Sequence, residues 1–212
     1  MVETTSAYEC DIIVDVHSEI QKVLEGQAPS YCVGRTTQPK PCCILPGSFN
    51  PLHAGHLEMA QVASLRTSLP VEFELSVTNV DKPSLSLDEV TRRVDQFEWH
   101  GVWITRATRF VQKVSLFPDC TFVIGADTAL RLCDHKYYAS KEELEAAVDV
   151  LAQGRCRFLI LGRSLDGRFV DSATEMKIPA RLRQHCEFVS EAEFRRDISS
   201  TEMRRNSHRA DP

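Results

Sequence analysis

Two histidines three residues apart, His53 and His56, sit in a stretch that reads Pro-Gly-Ser-Phe-Asn-Pro-Leu-His-Ala-Gly-His over 46–56. It runs directly into a helical pattern, Leu57-Glu58-Met59-Ala60. Gly47 and Gly55 permit tight turns and close approach of a ligand, while the amides and positive dipole end of the helix start suit a phosphate. The imidazoles add donors aimed at the same oxygens, although such a pair can also merely line a turn. Near the far end of the chain Ser199, Ser200 and Thr201 offer hydroxyl and amide donors, with Arg204 one turn further on. A plain N-cap on a surface helix would use the same hydroxyls. Arg163, just after the apolar run 158–161, is either a further phosphate contact or a solvated side chain. The chemistry these groups suggest is the binding and polarising of phosphate esters.

Holding such groups in place requires a sizeable core, and 212 residues with 42% hydrophobic and 26% charged residues supply one. That length suits one full domain with an appendage. Apolar residues at 12, 13, 16, 20, 23 and 24 predict an amphipathic helix over 10–25, stopped by Gly26. The stretch 28–41, with Pro29, Gly34, Pro39 and Pro41, reads as a linker, which divides the chain into 1–41 and a main domain 42–212. In that domain strand-like and helical periods alternate. Strands are expected over 42–45, 71–77, 102–105, 121–124 and 158–161, and helices over 55–66, 87–97, 109–117, after Asp127, and over 141–153. Ser86 with Glu89, and Ser140 with Glu143, form capping-box pairs at two helix starts. The pattern predicts an α/β fold, a Rossmann-like open parallel sheet with helices on both faces, plus the N-terminal amphipathic helix. Ligands of such sheets lie beyond the strands' carboxyl ends, so the loop after the first strand is the place to look.

The formal charge of -5 provides no general field for a nucleic acid polymer, although 195–209 is locally basic with Arg195, Arg196, Arg204, Arg205 and Arg209. No apolar run reaches the ~18 residues a bilayer span needs, and 1–11 lacks a basic leader, so a cytoplasmic or nuclear protein without membrane contact is expected. Eight cysteines without a Cys-x-x-Cys pair, several in apolar runs, read as reduced and mostly buried thiols.

Gly47, Phe49, Pro51, His53, Gly55 and His56 fit Gly-x-Phe-x-Pro-x-His-x-Gly-His at every fixed position, and the stretch resembles the signature of the nucleotidylyltransferase superfamily. The run Ile198-Ser199-Ser200-Thr201-Glu202-Met203-Arg204 resembles that superfamily's C-terminal Ile-Ser-Ser-Thr-x-x-Arg element. Class I aminoacyl-tRNA synthetases share only the histidine motif, and they are much longer. Phe122-Val123-Ile124-Gly125-Ala126-Asp127 is similar to an element of the mononucleotide adenylyltransferases that make dinucleotides of the NAD type. The resemblance spans roughly 42–206 and implies catalytic roles for His53, His56 and Arg204. It implies ATP binding by Gly47, Ser48, Phe49, Gly55, Gly125, Asp127, Ser199, Ser200 and Thr201. Asp127 equally suits a helix N-cap.

By the same resemblance, Asn79-Val80-Asp81-Lys82-Pro83 holds the position where an acceptor's phosphate is gripped, by Lys82 with help from Arg92 or Arg93. Adjacent arginines face different ways on a helix, so at most one should enter a cleft. The family commonly places tryptophans against the acceptor ring where this chain has Arg106-Ala107-Thr108 and His135-Lys136-Tyr137-Tyr138. Tyr137 or Tyr138 is the substitute for one stacking face, Trp99 and Trp103 are more distant candidates, and Trp103 reads better as core. Arg163 joins the acceptor set as a phosphate contact. The implied reaction is adenylyl transfer from ATP to nicotinamide or nicotinate mononucleotide, with Mg2+ held through phosphates and waters and no protein nucleophile. The alternatives are cytidylyl or adenylyl transfer to another phosphorylated acceptor, and a nucleotide-binding or ATP-hydrolysing relative. Homo-oligomerisation stays open.

Overall fold

A computed structural model describes residues 15–34, 36, 41–78, 83–98, 100–165, 167–173 and 175–196. Its centre is a seven-stranded sheet built from β1 (Ser30–Val33), β2 (Cys43–Pro46), β3 (Val71–Ser76), β4 (Val102–Thr105), β5 (Thr121–Gly125), β6 (Arg157–Leu161) and β9 (Cys186–Val189). The spatial order is β1-β4-β3-β2-β5-β6-β9, and every pairing is parallel except β1 on β4. Strand order reverses at β2, between β3 and β5, so the loops following β2 and β5 flank the crevice in which ligands of open α/β sheets sit. A two-stranded hairpin, β7 (Arg163–Leu165) with β8 (Arg168–Val170), leaves the end of β6.

Alternation along the strands sends side chains to two apolar layers. On one face Leu45, Phe73, Leu75 and Ile104 pack under α1 (Val16–Leu24), α2 (Ala54–Thr67) and α3 (Leu87–Val94). On the other, Ile44, Phe122, Ile124 and Phe158 meet α4 (Phe110–Leu116), α5 (Ala126–Cys133), α6 (Lys141–Gln153) and the short α7 (Ala180–Arg183). The fold is therefore the expected Rossmann-like one. Both Ser-led caps form, with the amides of Glu89 and Glu143 donating to Ser86 Oγ and Ser140 Oγ at 3.3 and 3.2 Å. A short 3-10 turn, His135–Tyr137, follows α5.

The expected N-terminal helix is present as Val16–Leu24, with Ile20 and Val23 buried in the core, and positions 10–14 lie outside the described residues. The linker reading of 28–41 is overturned for Ser30–Val33, which forms the antiparallel edge strand against β4. Its four backbone positions gain ladder bonds that no local propensity advertises, because Pro29 and Gly34 bracket it closely. Seven cysteines are described, all as free thiols, four of them buried. No helix among the described residues is long and apolar enough to cross a membrane.

Candidate active site

The loop after β2 is fixed from beneath before it can present anything to a ligand. Phe49 adopts φ 44 and its ring is fully buried, edge-on to Phe73 and Phe97 at centroid distances of 5.5 and 5.1 Å and to the His56 ring at 5.0 Å. A Cβ on residue 47 would stand 2.6 Å from that ring, so only glycine lets the chain pass over Phe49. The side chain expected to touch ATP is thus core, and its contact is with a histidine.

α3 supplies the rest of the brace. Arg93 Nη1 donates to the Ser48 carbonyl at 2.8 Å, and Arg92 Nη2 donates to Asn50 Oδ1 at 2.9 Å. Gln96 donates to the Phe49 carbonyl at 2.9 Å and accepts the Leu52 amide at 2.8 Å. One turn back on the helix, Glu89 binds both guanidiniums, and the Arg92 bond foremost, with that of Arg93, holds its carboxyl down to about 2. The structure turns both arginines onto the loop, and neither lines the neighbouring cavity. Gln96 was not legible as a site residue, since a glutamine at a helix end carries no pattern of its own.

From this braced loop the two histidines rise at the start of α2. Their rings stack at 3.7 Å between centroids and 20° between planes. The His53 amide donates to His56 Nδ1 at 3.3 Å, which leaves the proton of a neutral His56 on Nε2. Burial, then the His53 ring, then the Arg163 guanidinium press the His56 pKa down to about 4. Burial and Arg163 also lower that of His53, whose Nδ1 is buried without a hydrogen-bond partner. At neutral pH both rings are uncharged N–H donors in a region already carrying a cation. Neutral imidazole N–H groups of this kind are suited to donating hydrogen bonds to phosphate oxygens.

Arg163 also joins this cluster to the loop after β5. Its Nη1 lies 3.3 Å from Asp127 Oδ1, while Arg131 Nη2 lies 3.0 Å from Oδ2. Asp127 folds back over Gly125, where a Cβ would come within 2.7 Å of its Oδ1. Gly125 itself takes the N-cap position of α5, so Asp127 is not the cap. Arg163 is thus paired with Asp127, close enough to the histidines for its charge to bear on both rings, and lies outside the residues that line the adjoining cavity.

That cavity, of about 740 Å3, opens beyond the carboxyl ends of β2 and β3 and is bordered by Gly47, Ser48, Ser76, Thr78, Thr108 and Tyr137, among others. Tyr137 is 48% exposed there, with Lys136 Nζ 5.2 Å from its ring centre. Tyr138 instead is half-buried and spends its hydroxyl on the Leu132 carbonyl at 2.9 Å. At the cavity wall lies a buried ion pair that the apolar reading of 71–77 missed. Lys113 Nζ reaches both Glu74 oxygens at 2.7 and 2.6 Å, and Thr105 Oγ1 donates to the same carboxylate at 2.5 Å. Glu72 and Glu74 share the strand's second face, and that alternation was the available signal. Trp103 donates to Glu72 at 2.6 Å and packs on Phe117, as a core residue would. Lys82, Trp99, Ser199, Ser200, Thr201 and Arg204 lie outside the described residues.

Comparison with known proteins identifies the family. The profile of the cytidylyltransferase-like family matches residues 44–206. A Schizosaccharomyces pombe protein named "Putative nicotinamide mononucleotide adenylyltransferase" is 28% identical over an alignment of 151 residues that covers 64% of this chain and 59% of that protein. The matched stretch thus spans about three-fifths of the relative's length. With a family match that begins inside β2 and takes in the braced loop, the histidine pair and the neighbouring cavity, the chain belongs to the cytidylyltransferase-like family.

Proposed function

We propose that the protein transfers the adenylyl group of ATP to a mononucleotide, nicotinamide or nicotinate mononucleotide, releasing pyrophosphate and forming NAD or its deamido form. The observation that carries this reading is the meeting of two subsites across one loop. Its His53–His56 end is a pair of neutral donors at a helix start, with the Arg163–Asp127 pair bearing on their field, and it is suited to a triphosphate. Its Gly47–Ser48 end borders a cavity large enough for a second nucleotide. The name of the fission yeast relative supports the same acceptor class.

In this reading an oxygen of the acceptor phosphate attacks the α-phosphorus of ATP, and pyrophosphate leaves in line. No side chain becomes covalently attached. His56, through Nε2–H, and His53 donate to the charge that builds on the phosphoryl oxygens, and Arg163 and Arg204 neutralise the leaving group. Ser48, Gly55, Gly125, Asp127, Ser199, Ser200 and Thr201 seat the nucleotide, Lys82 grips the acceptor phosphate, and Tyr137 offers the stacking face. Phe49, Arg92, Arg93 and Tyr138 act at one remove, by holding the loop and the cavity wall. Among the described residues no three His, Cys, Asp or Glu side chains converge to hold a metal ion, and Mg2+ would be carried on the nucleotide's phosphates, where it shields their charge.

The test is end-point chromatography and mass analysis of the full chain with Mg2+ and ATP or CTP, offered nicotinamide mononucleotide, nicotinate mononucleotide, or phosphorylated sugars and alcohols. The reading predicts a dinucleotide from ATP and one of the two mononucleotides. Product only from CTP or from another acceptor would keep nucleotidyl transfer and replace the substrates. ADP and phosphate alone would replace transfer with hydrolysis.

A further inference from the structure

Arg106 follows β4, in the region where the resemblance led us to expect an aromatic ring over the acceptor, and its side chain runs the other way. Its guanidinium donates to the carbonyls of Val23 and Leu24, the last turn of α1, at 3.4 Å for Val23. Gly26, at φ +78, turns the chain off that helix so closely that a Cβ there would lie 3.6 Å from Arg106 Nε. The backbone on either side is tied as well, with the Arg106 amide donating to the Pro29 carbonyl at 3.4 Å. The Val23 carbonyl also accepts the Gly26 amide at 3.0 Å, and a cation donating to the last carbonyls of a helix is well placed both as a hydrogen-bond donor and against the helix dipole.

The other side of Arg106 faces the cavity rim. Its carbonyl accepts Thr78 Oγ1 at 2.9 Å, and the Thr78 carbonyl accepts Ser76 Oγ at 2.9 Å. Ser76, Thr78 and Thr108 all border the 740 Å3 cavity. An unbroken chain of bonds therefore runs from α1, which precedes the family match at residue 44, through Arg106 to the loops after β3 and β4.

We infer that Arg106 is a positioning residue, and that α1 with its Gly26 turn is a clamp through which Arg106 holds the acceptor side of the site in its binding shape. The inference rests on the proposed reading of the cavity as the acceptor subsite. It assigns to an element outside the family match a role in acceptor affinity, with no contact to the acceptor itself. The clamp acts on the loops after β3 and β4, whereas the loop carrying His53 and His56 has its own brace from α3. Acceptor binding and ATP binding should therefore respond differently.

The experiment uses the full chain and perturbs the contact from both sides, with Arg106→Ala and with Gly26→Ala, whose forced positive φ displaces the turn. Arg181→Ala, at a surface pair with Glu145 and Asp149, is the control. Each clamp variant should raise KM for the mononucleotide acceptor about tenfold, the scale of losing one charge-assisted hydrogen bond, with kcat and the ATP KM within twofold. The double variant should be no worse than the stronger single one, and Arg106→Lys should recover part of the loss. Equal effects on both substrates, or a double variant equal to the product of the singles, would overturn the clamp. Hydrogen exchange provides a readout free of any assumption about the acceptor. The amides at 76–78 and 106–108 should exchange faster in both variants than in wild type, and unchanged exchange overturns the inference even if no tested mononucleotide proves to be a substrate.

Discussion

Burying a histidine beside a cation stores a dependence on acid that can be worked out and measured. His56 titrates at about 4 in the folded chain against about 6.5 when unfolded. Between those values the unfolded state binds more protons, so stability is full above pH 6.5 and falls as pH drops toward 4. At pH 4.5 the linkage relation gives a loss on the order of 2–3 kcal/mol from this one ring relative to neutral pH. His56→Gln removes the titration while keeping a side-chain acceptor near the His53 amide. Urea unfolding followed by tryptophan fluorescence at intervals from pH 7.5 to 4.5 compares the two. With an m-value of roughly 2–3 kcal/mol/M for a chain of this size, the wild-type midpoint should fall about 1 M further than that of the variant across the range. Parallel curves would mean that His56 is protonated in the folded state at ordinary values, and the argument that the site holds neutral donors beside Arg163 would fail.

Three further outcomes follow from the geometry. Gly47→Ala drives a methyl into the buried Phe49 ring, and should cost about 1–3 kcal/mol in thermal or chemical unfolding while also lowering turnover through the displaced His56 ring. Lys113→Met leaves the Glu74 carboxylate buried and unpaired, so unfolding measurements should show a loss of about 3–5 kcal/mol, much of it recovered when Glu74→Gln is added. Arg163→Gln should raise the ATP KM more than the acceptor KM in steady-state kinetics, and the reverse order would return Arg163 to the acceptor side.

Much of the architecture was legible because long periodic segments carry their own physics. The strand at 102–105 and the helix at 141–153 stand where their apolar spacing places them. Short edge elements were not. Ser30–Val33 takes its stability from pairing with β4, and Cys186–Val189 from pairing with β6, neither of which is visible in four residues. At the site, the types and spacing of Gly47, His53 and His56 located the loop, but a motif does not say which way a side chain points. Phe49 goes into the core, Arg92 and Arg93 onto the loop, and Arg163 to Asp127, each decided by tertiary neighbours. The Glu74–Lys113 pair escaped notice because its partners lie on separate elements, and each reads as an isolated polar residue among apolar ones.

The central claim is that the bond broken in ATP is the one between the α- and β-phosphates, with the α-phosphate passing to an acceptor. Its most direct test is the fate of label from ATP radiolabelled at the α-phosphorus, incubated with Mg2+, the full chain and nicotinamide or nicotinate mononucleotide, and beside it the folded His56→Ala variant. The account predicts that label appears in a dinucleotide in step with pyrophosphate release. Loss of the His56 donor should slow that transfer by about 100-fold or more. Label that accumulates in ADP instead, or a folded His56→Ala protein that transfers it at the wild-type rate, would contradict the account.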